Sequence, residues 1–294
     1  MTETEKPINL FRSPLSADCH IHSGYSHDAR TTERRNIPAL CRTAWERGLT
    51  YLAVTDHFDV DYQRAGRIPW LPFDEIERDI REAKAEWADK LYVAYGIEYG
   101  QPYTYPDDFV KILNTYPYDI VLGSVHSPGN FRGFAHTDFR TMTREEIDAV
   151  FDQYLGAWEA LVHTDDRTDF PAKIDIYTHP TYPLRYLLRQ GIPYDVSLWE
   201  ERMREMLRVI VEKGAGLEFN TAYLRFPGLL PDDTAVTVLR WYRECGGEIV
   251  TAASDAHKPE DIAADFDTAR AVLAGCGFSY YAEYRERKPL FHKI

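Results

Sequence analysis

The chain has 294 residues, of which 44% are hydrophobic and 14% aromatic, and this is ample to fill one large core. A formal net charge of -13 argues against a nucleic-acid backbone or an anionic membrane as the main partner, because both recruit clustered lysines and arginines. No segment has the apolar run of a signal peptide or a membrane span, so we expect a cytoplasmic protein. The four cysteines are scattered without a CxxC pair, which favours reduced thiols over disulfides or a thiolate zinc site.

Short, β-branched apolar runs alternate with amphipathic stretches along the chain, as expected for βαβ units around a parallel sheet. Seven candidate strands follow one another; their cores read DCHIH, YLAVT, YVAYGIE, IVLGSV, IDIYT, GLEFN and IVTAAS, and they end near His22, Thr55, Glu98, Val125, Thr178, Asn220 and Ala253. The sequence has no internal repeat, low-complexity block or linker. We therefore expect a single domain over residues 1–294.

Three of the intervening helices have recognisable ends. Asn36 is a candidate N-cap for a helix that stops at Gly48. Thr143 with Glu146 three residues later predicts a capping box, and a further helix is predicted over residues 197–214. The C-terminal tail predicts either an edge strand or a layer over the bottom of a barrel.

Metal-ligating residue types lie at six of the seven predicted strand ends. They are Asp18, His20, His22, Asp56, His57, Glu98, His126, His179, Asp255 and His257. In a closed parallel barrel these ends meet on one face, and the i, i+2 spacing of His20 and His22 places both rings on the same side of a strand. Imidazoles facing carboxylates predict a mixed nitrogen and oxygen site suited to Zn, Mn or Fe.

The remaining histidines carry less information. Three of them lie in loops or helices away from the strand ends and are interpreted as ordinary polar residues: His136, His163 and His292. His27 stands beside Asp28 in the loop after the first strand, and either side chain could turn back into the site.

The order of the motifs DCHIH, TDH, GIE, SVH, THP and SDAH resembles the PHP (polymerase and histidinol phosphatase) family, from Asp18 to about Gly277. The resemblance implies a distorted seven-stranded (β/α)7 barrel with two or three divalent metal ions. The ligands that it implies by position are His20, His22, Asp28, His57, Glu98, His126, His179, Asp255 and His257. Asp28 is included rather than His27 because the family takes a His or an Asp six positions after the second histidine of the first motif.

Within that family, GLEFNTAYLRFPG followed by SDAHKPEDIAADFDTA looks most like the histidinol-phosphate phosphatases. Two departures bear on the substrate. Thr181 in THPTYPLRY stands where relatives more often have the aspartate of G-H-L-D, and the loop of residues 127–139 has its own composition. The resemblance therefore implies hydrolysis of L-histidinol phosphate to L-histidinol and phosphate, and the two departures bear on specificity.

The expected mechanism needs no protein nucleophile. A cluster of divalent ions lowers the pKa of a bridging water, so that hydroxide attacks the phosphate monoester while the ions neutralise the phosphoryl oxygens. Arginine fits phosphate with two parallel hydrogen bonds, and the candidates in order of support are Arg225, Arg185 and Arg132. Asn220 is a candidate for holding a ligand or the substrate, and Glu218 for binding a cationic leaving group.

Two further carboxylates are candidates for supporting roles. Asp56 is expected to orient His57 or another ligand histidine through a hydrogen bond, and Asp59 is available for an acidic rim.

Three alternatives remain. A nucleotide or another small phosphate monoester would use the same metal cluster, since fold and metals do not set the substrate. A metal-dependent amidohydrolase also begins with HxH, but eight strands and a bridging lysine or glutamate would be expected, and seven strands ending in SDAH fit it poorly. A non-enzymatic metal-binding protein would have little reason to keep a complete ligand set.

Overall fold

A computed structural model of the chain describes residues 15–29, 31, 33–128, 131, 133–166, 173–225 and 233–294. The strands are β1 (Ala17–Ile21), β2 (Tyr51–Val54), β3 (His57–Asp59), β4 (Tyr92–Gly100), β5 (Ile120–Ser124), β6 (Ile176–Tyr177), β7 (Gly216–Asn220), β8 (Val250–Ala253), β9 (Tyr280–Arg285) and β10 (Lys288–Lys293). The α-helices are α1 (Ile37–Glu46), α2 (Val60–Arg64), α3 (Phe73–Trp87), α4 (Pro106–Thr115), α5 (Arg144–Val162), α6 (Leu184–Arg189), α7 (Glu200–Glu212), α8 (Asp233–Glu244) and α9 (Phe266–Gly275).

The parallel strands form one sheet in the order β1-β2-β4-β5-β6-β7-β8. β3 continues the path of β2 and pairs with the second half of β4, so the two segments together occupy one position in the sheet. The sheet curls until its two ends meet. There the amide of His22 donates to the carbonyl of Ala256 at 2.8 Å, and the amide of Asp255 donates to the carbonyl of His20 at 2.8 Å. The predicted seven-stranded (β/α) barrel is confirmed.

The residues of the barrel strands β1 to β8 are almost all buried, which explains why these strands read as continuous apolar runs rather than alternating ones. One face of each strand fills the barrel and the other packs against the helices. Large aromatic residues, among them Trp158, Trp199 and Tyr154, fill the layer between the sheet and α5 and α7. The parallel strands of the barrel are therefore packed on both faces, and their carboxyl ends converge on one face.

The helix ends agree with the sequence in part. The capping box at Thr143 is confirmed, since its hydroxyl accepts from the amide of Glu146 and the Glu146 carboxylate accepts from the amide of Thr143. α1 begins after Asn36 as predicted, although the Asn36 side chain accepts from the amide of Gly24 instead of capping the helix. The helix predicted to start at Ser197 begins at Glu200, because residues 196–199 form a tighter 3₁₀ turn.

The C-terminal tail is an antiparallel hairpin of β9 and β10 that covers the amino ends of the barrel strands. The hydroxyl of Tyr51, at the start of β2, donates to the carbonyl of Tyr284 at 2.8 Å. The amide of Glu286 donates to Asp119, which lies immediately before β5. Of the two predicted placements, the layer over the barrel bottom is therefore the observed one. None of the described helices is both long enough and apolar enough to cross a membrane.

Candidate metal centre

Glu98 lies at the centre of the polar face formed by the strand ends. Its Oε1 is 3.0 Å from Nε2 of His126 and 2.8 Å from Nε2 of His179. Its Oε2 is 3.3 Å from Nε2 of His20 and 2.6 Å from Nδ1 of His57. The carboxylate is fully buried, so four of the predicted ligand histidines surround a single negative group that water does not reach.

A second carboxylate, Asp255, faces the two histidines of the first motif. Its Oδ1 is 3.1 Å from Nε2 of His22 and 3.8 Å from Nε2 of His20. Asp255 has a φ of 53°, and His179 across the site has a φ of 26°. Both are left-handed conformations that cost energy for residues with a side chain, and such strain is concentrated where a functional geometry demands it.

Asp28 completes the face from the loop after β1. Its Oδ2 is 3.0 Å from Nε2 of His257 and 3.5 Å from Nε2 of His57. His27 is exposed, and its ring centroid lies 5.4 Å from that of His57. Of the two neighbours, Asp28 is the one in polar contact with the cluster.

The structure thus brings together all nine residues predicted as metal ligands. Four groups have donor atoms that all lie within 4.8 Å of one another: His20, His22 and Asp255; His20, Glu98 and His179; His57, Glu98 and His126; His22, His57 and His257. The chain therefore holds groups of histidines and carboxylates that could bind metal ions. The other histidines, His27, His136, His163 and His292, belong to none of these groups.

Two carboxylates behind the cluster set the direction in which the rings point. Oε2 of Glu218 lies 2.7 Å from Nδ1 of His20, and Oδ1 of Asp59 lies 2.7 Å from Nδ1 of His126. Each carboxylate accepts the Nδ1 proton, so the Nε2 lone pair of the neutral ring points into the cluster. A side chain at Gly100 would place its Cβ 2.0 Å from Oδ1 of Asp59, so only glycine leaves room for that carboxylate.

The contacts inside the cluster suit a cation. Nε2 of His20 and Nε2 of His22 lie 3.1 Å apart. Nδ1 of His57 and Oε2 of Glu98 are buried and lack a hydrogen-bond partner among the described residues, although they lie 2.6 Å apart. Lone pairs that face one another repel unless a positive charge lies between them, and nitrogen with oxygen ligands at this density fits a divalent transition metal.

The electrostatics of the cluster lead to the same conclusion. Burial opposes ionisation of Glu98, but the facing rings of His126, His57 and His20 hold its pKa well below the usual value. Burial also opposes protonation of His126, but Glu98 and Asp59 outweigh it and raise the pKa of that ring to about 10. The carboxylates thus attract positive charge strongly, whether it arrives as protons or as metal ions.

Arg185 on α6 stands beside the cluster. Its Nη1 lies 3.8 Å from Oδ2 of Asp255, and its guanidinium carbon lies 4.2 Å from the centre of the Tyr182 ring. Tyr182 in turn lies against the rings of His126 and His179, with centroids 5.5 Å and 5.3 Å away. The aromatic ring therefore separates the arginine from the histidines and holds it at the edge of the site.

Arg225 follows β7 and approaches from another side. Its Nη2 donates to the carbonyl of Ser254 at 2.6 Å, and its Nε lies 3.7 Å from Oδ2 of Asp261. Its Nη1 is buried and has no hydrogen-bond partner in the described part of the chain. Arg132, the third predicted arginine, lies outside the described residues.

Glu218 and Asn220 contact ligand residues directly. The amide of Asn220 donates to Oε1 of Glu218 at 2.9 Å and to Oδ2 of Asp255 at 3.2 Å. The other Glu218 oxygen holds His20, so both oxygens are engaged within the cluster. These contacts make Glu218 a positioning residue for His20, and its predicted role in substrate binding stays a prediction. Glu218, Asn220 and Arg185 also line a cavity beside the cluster.

Several contributions were not found from the sequence. Asp59 was expected on an acidic rim but is buried behind His126, and its i, i+2 spacing from His57 was the signal that could have placed it on the site face. Asp56 was expected to contact a ligand histidine, but its carboxylate accepts from Ser23 and Ser26 instead. Nothing in the sequence pattern marked Tyr182.

A scan against family models matches residues 18–222 to the PHP domain. The chain belongs to the PHP family. This PHP chain is 24% identical over 275 residues to a histidinol-phosphatase from Lactococcus lactis, covering 92% of this chain and 95% of that protein. It is also 24% identical over 259 residues to a "Probable histidinol-phosphatase" from Clostridium acetobutylicum, covering 88% of this chain and 93% of that one.

Among solved structures, the PHP barrel is similar to a histidinol phosphate phosphatase from Lactococcus lactis that was crystallised with Zn, L-histidinol and phosphate. The TM-score is 0.73 at 23% identity, over 94% of this chain and 98% of that one. The resemblance to the PHP family is therefore confirmed, and the fold is shared with that protein over nearly its whole length.

Proposed function

We propose that the chain is a metal-dependent phosphatase that hydrolyses L-histidinol phosphate to L-histidinol and phosphate. The observation that carries the proposal is the convergence of predicted ligands on Glu98, which four imidazoles surround at the carboxyl end of the barrel. Both relatives described above are named histidinol-phosphatases, and this supports the choice of substrate. The reaction class is phosphoric monoester hydrolysis.

We further propose that two or three divalent ions, Zn, Mn or Fe, are held by this cluster. The residues that would hold them are His20, His22, Asp28, His57, Glu98, His126, His179, Asp255 and His257. Such ions supply an activated water near neutral pH and neutralise the phosphoryl oxygens. Glu98 belongs to two of the candidate groups, so its carboxylate would be a ligand shared by both.

The arginines complete the phosphate site in this proposal. The planar guanidinium of Arg185 can bind two phosphoryl oxygens at once, and Tyr182 holds it at the edge of the cluster. The buried Nη1 of Arg225 offers a second donor. Asn220 keeps Asp255 in place through its amide. Together these groups orient a small phosphate monoester and stabilise charge that develops on it.

We also propose that residues 1–294 make up one domain. Among the described residues, the barrel strands run from β1 to β8, and the hairpin that follows packs against the bottom of the same barrel. No second core is present in the described ranges. A small-molecule substrate fits this arrangement, since the polar face lies within the barrel and not on an extended basic surface.

The test is phosphate release from L-histidinol phosphate beside a nucleoside monophosphate and p-nitrophenyl phosphate, with protein reconstituted separately with Zn, Mn and Fe. We expect a kcat/KM at least about 100-fold higher for L-histidinol phosphate, because recognition of an amine and an imidazole adds hydrogen bonds that the other esters lack. Equal or faster turnover of another ester would support a metal-dependent phosphatase but would contradict L-histidinol phosphate as its substrate. The replacement of the usual carboxylate by Thr181 is the feature that favours that second outcome.

A further inference from the structure

Ser26 lies at the junction of two strands that carry candidate ligands. Its Oγ is 3.2 Å from Nδ1 of His22, at the end of β1, and 3.1 Å from the backbone amide of His57, at the start of β3. The same Oγ is 2.7 Å from Oδ1 of Asp56. One buried hydroxyl therefore contacts two candidate ligand residues and a carboxylate.

The carboxylate of Asp56 is held firmly. It accepts from the amide of Ser23 at 2.7 Å and from the hydroxyl of Ser23 at 2.7 Å, in addition to the hydroxyl of Ser26. Burial raises the pKa of Asp56, and these donors from Ser23 and Ser26 oppose that shift by stabilising the ionised form. The carboxylate makes no hydrogen bond to a histidine ring among the described contacts.

The directions of these hydrogen bonds follow from the number of protons available. A carboxylate can only accept, so the single hydroxyl proton of Ser26 is donated to Asp56. The amide of His57 is a donor and occupies one lone pair of the Ser26 oxygen. The other lone pair must then accept from Nδ1 of His22, which places the proton on Nδ1 and leaves Nε2 with a lone pair.

That lone pair points at the candidate metal position. Nε2 of His22 lies 3.1 Å from Oδ1 of Asp255 and 3.1 Å from Nε2 of His20. The opposite tautomer would place a proton on Nε2 and block coordination. Glu218 and Asp59 do the same for His20 and His126 with a carboxylate, whereas His22 contacts a hydroxyl whose proton is donated to Asp56.

We propose that Ser26, held by Asp56, is a positioning residue that fixes the Nδ1–H tautomer of His22 and ties it to the backbone of His57. The inference rests on the metal binding proposed above and not on the identity of the substrate. Removal of the partner that orients a ligating histidine typically costs about 10- to 100-fold in metal affinity.

The test compares Ser26→Ala with Ser23→Ala as a matched control. Both substitutions remove a buried hydroxyl that donates to Asp56, but only Ser26 contacts a histidine ring. Each full-length variant is titrated with Co²⁺, with the d–d absorption spectrum as the readout. The protonated ring nitrogen of His22 is read in the metal-free protein by two-bond ¹H–¹⁵N correlation, and circular dichroism verifies the fold.

We expect Ser26→Ala to weaken Co²⁺ binding by about 10- to 100-fold and to change the d–d spectrum, with Ser23→Ala within about twofold of the wild type. The wild-type spectrum should show the proton on Nδ1 of His22, and Ser26→Ala should lose this preference. Unchanged Co²⁺ affinity in Ser26→Ala, or an equal loss in Ser23→Ala, would overturn the proposal. A wild-type protein that binds no Co²⁺ would overturn the metal centre together with it.

Discussion

The two ends of the barrel both bury carboxylates, but they satisfy them in opposite ways. At the amino ends of the strands, Asp119 accepts from Lys84 at 2.7 Å, from the hydroxyl of Tyr92 at 2.8 Å, from the amide of Tyr95 at 2.9 Å and from the amide of Glu286 at 3.0 Å. Every one of these partners brings a proton. The hydrogen-bonding capacity of the Asp119 carboxylate is therefore satisfied by groups of the chain itself.

At the carboxyl ends, the partners of Glu98 are imidazoles, and the Nδ1 protons of two of them are committed to carboxylates behind them. The neutral forms of His20 and His126 thus offer lone pairs and no protons to the centre of the site. Negative charge and lone pairs are concentrated where no lysine or arginine of the described chain neutralises Glu98. The bottom carboxylate therefore stabilises the fold, whereas the cluster at the top could bind cations.

Glu98→Gln should have the largest effect, because it removes the buried negative charge that four imidazoles surround. We expect loss of bound metal and a fall in kcat of about 1,000-fold or more, since a metal ion supplies several kcal/mol of transition-state stabilisation. Metal content and phosphate release are the measurements. The metal-free variant should keep its fold by circular dichroism, and a metal-replete variant with normal turnover would refute the assignment of Glu98.

Arg185→Ala tests the second element of the top end. We expect kcat/KM to fall by about 10- to 100-fold with metal content unchanged, because hydrogen bonds to a charged group contribute about 1.5–3 kcal/mol. Steady-state kinetics and metal analysis provide the readouts. Arg189→Ala, on the same helix α6 but exposed, is the control and should stay within about twofold. Loss of metal in Arg185→Ala would show that the residue supports the ligands instead.

Arg287→Ala probes the bottom end. Its Nε contacts Oδ2 of Asp175 at 2.5 Å, and the same oxygen of that carboxylate accepts from the amide of Val121 at 2.8 Å. We expect a loss of about 2–3 kcal/mol in the free energy of unfolding, below the value for a fully buried pair because Arg287 is 29% exposed.

Urea denaturation measures this loss, and kcat/KM and metal content should not change. Lys288→Ala on the exposed side of the hairpin should cost less than about 0.5 kcal/mol. A fall in the activity of Arg287→Ala at unchanged stability would contradict the assignment of stability to the bottom end and activity to the top end.

Tyr182→Leu should have the smallest effect. The ring holds the Arg185 guanidinium by a cation–π contact, so its removal should raise KM by about three- to tenfold, the equivalent of about 1 kcal/mol. Tyr182→Phe keeps the ring and should lie near the wild type, with kcat and metal content little changed in both variants. Equal KM values for the Leu and Phe variants would assign the effect to the hydroxyl, which pairs with that of Tyr186.

The sequence by itself determined the barrel and the nine candidate ligands. Seven apolar runs, six of which end in His, Asp or Glu, predict the barrel and its polar face locally, because a parallel barrel brings every strand end to one face. The capping box at Thr143 is likewise local and was predicted correctly. The barrel and the capping box depend on residues close together in the chain, whereas the choice of nine ligands, Asp28 among them, was implied by the resemblance of the motif order to the PHP family.

Only the tertiary structure decided which groups hold the ligands in place. Glu218 is 198 residues from His20, and Asp59 is 67 residues from His126, so no local pattern pairs them. The Ser26 contact with His22 is close in sequence, but its direction depends on Asp56 from the next strand. Ligand identity follows from residue type at a strand end, whereas tautomer, charge and orientation follow from contacts that exist only after the chain has closed on itself.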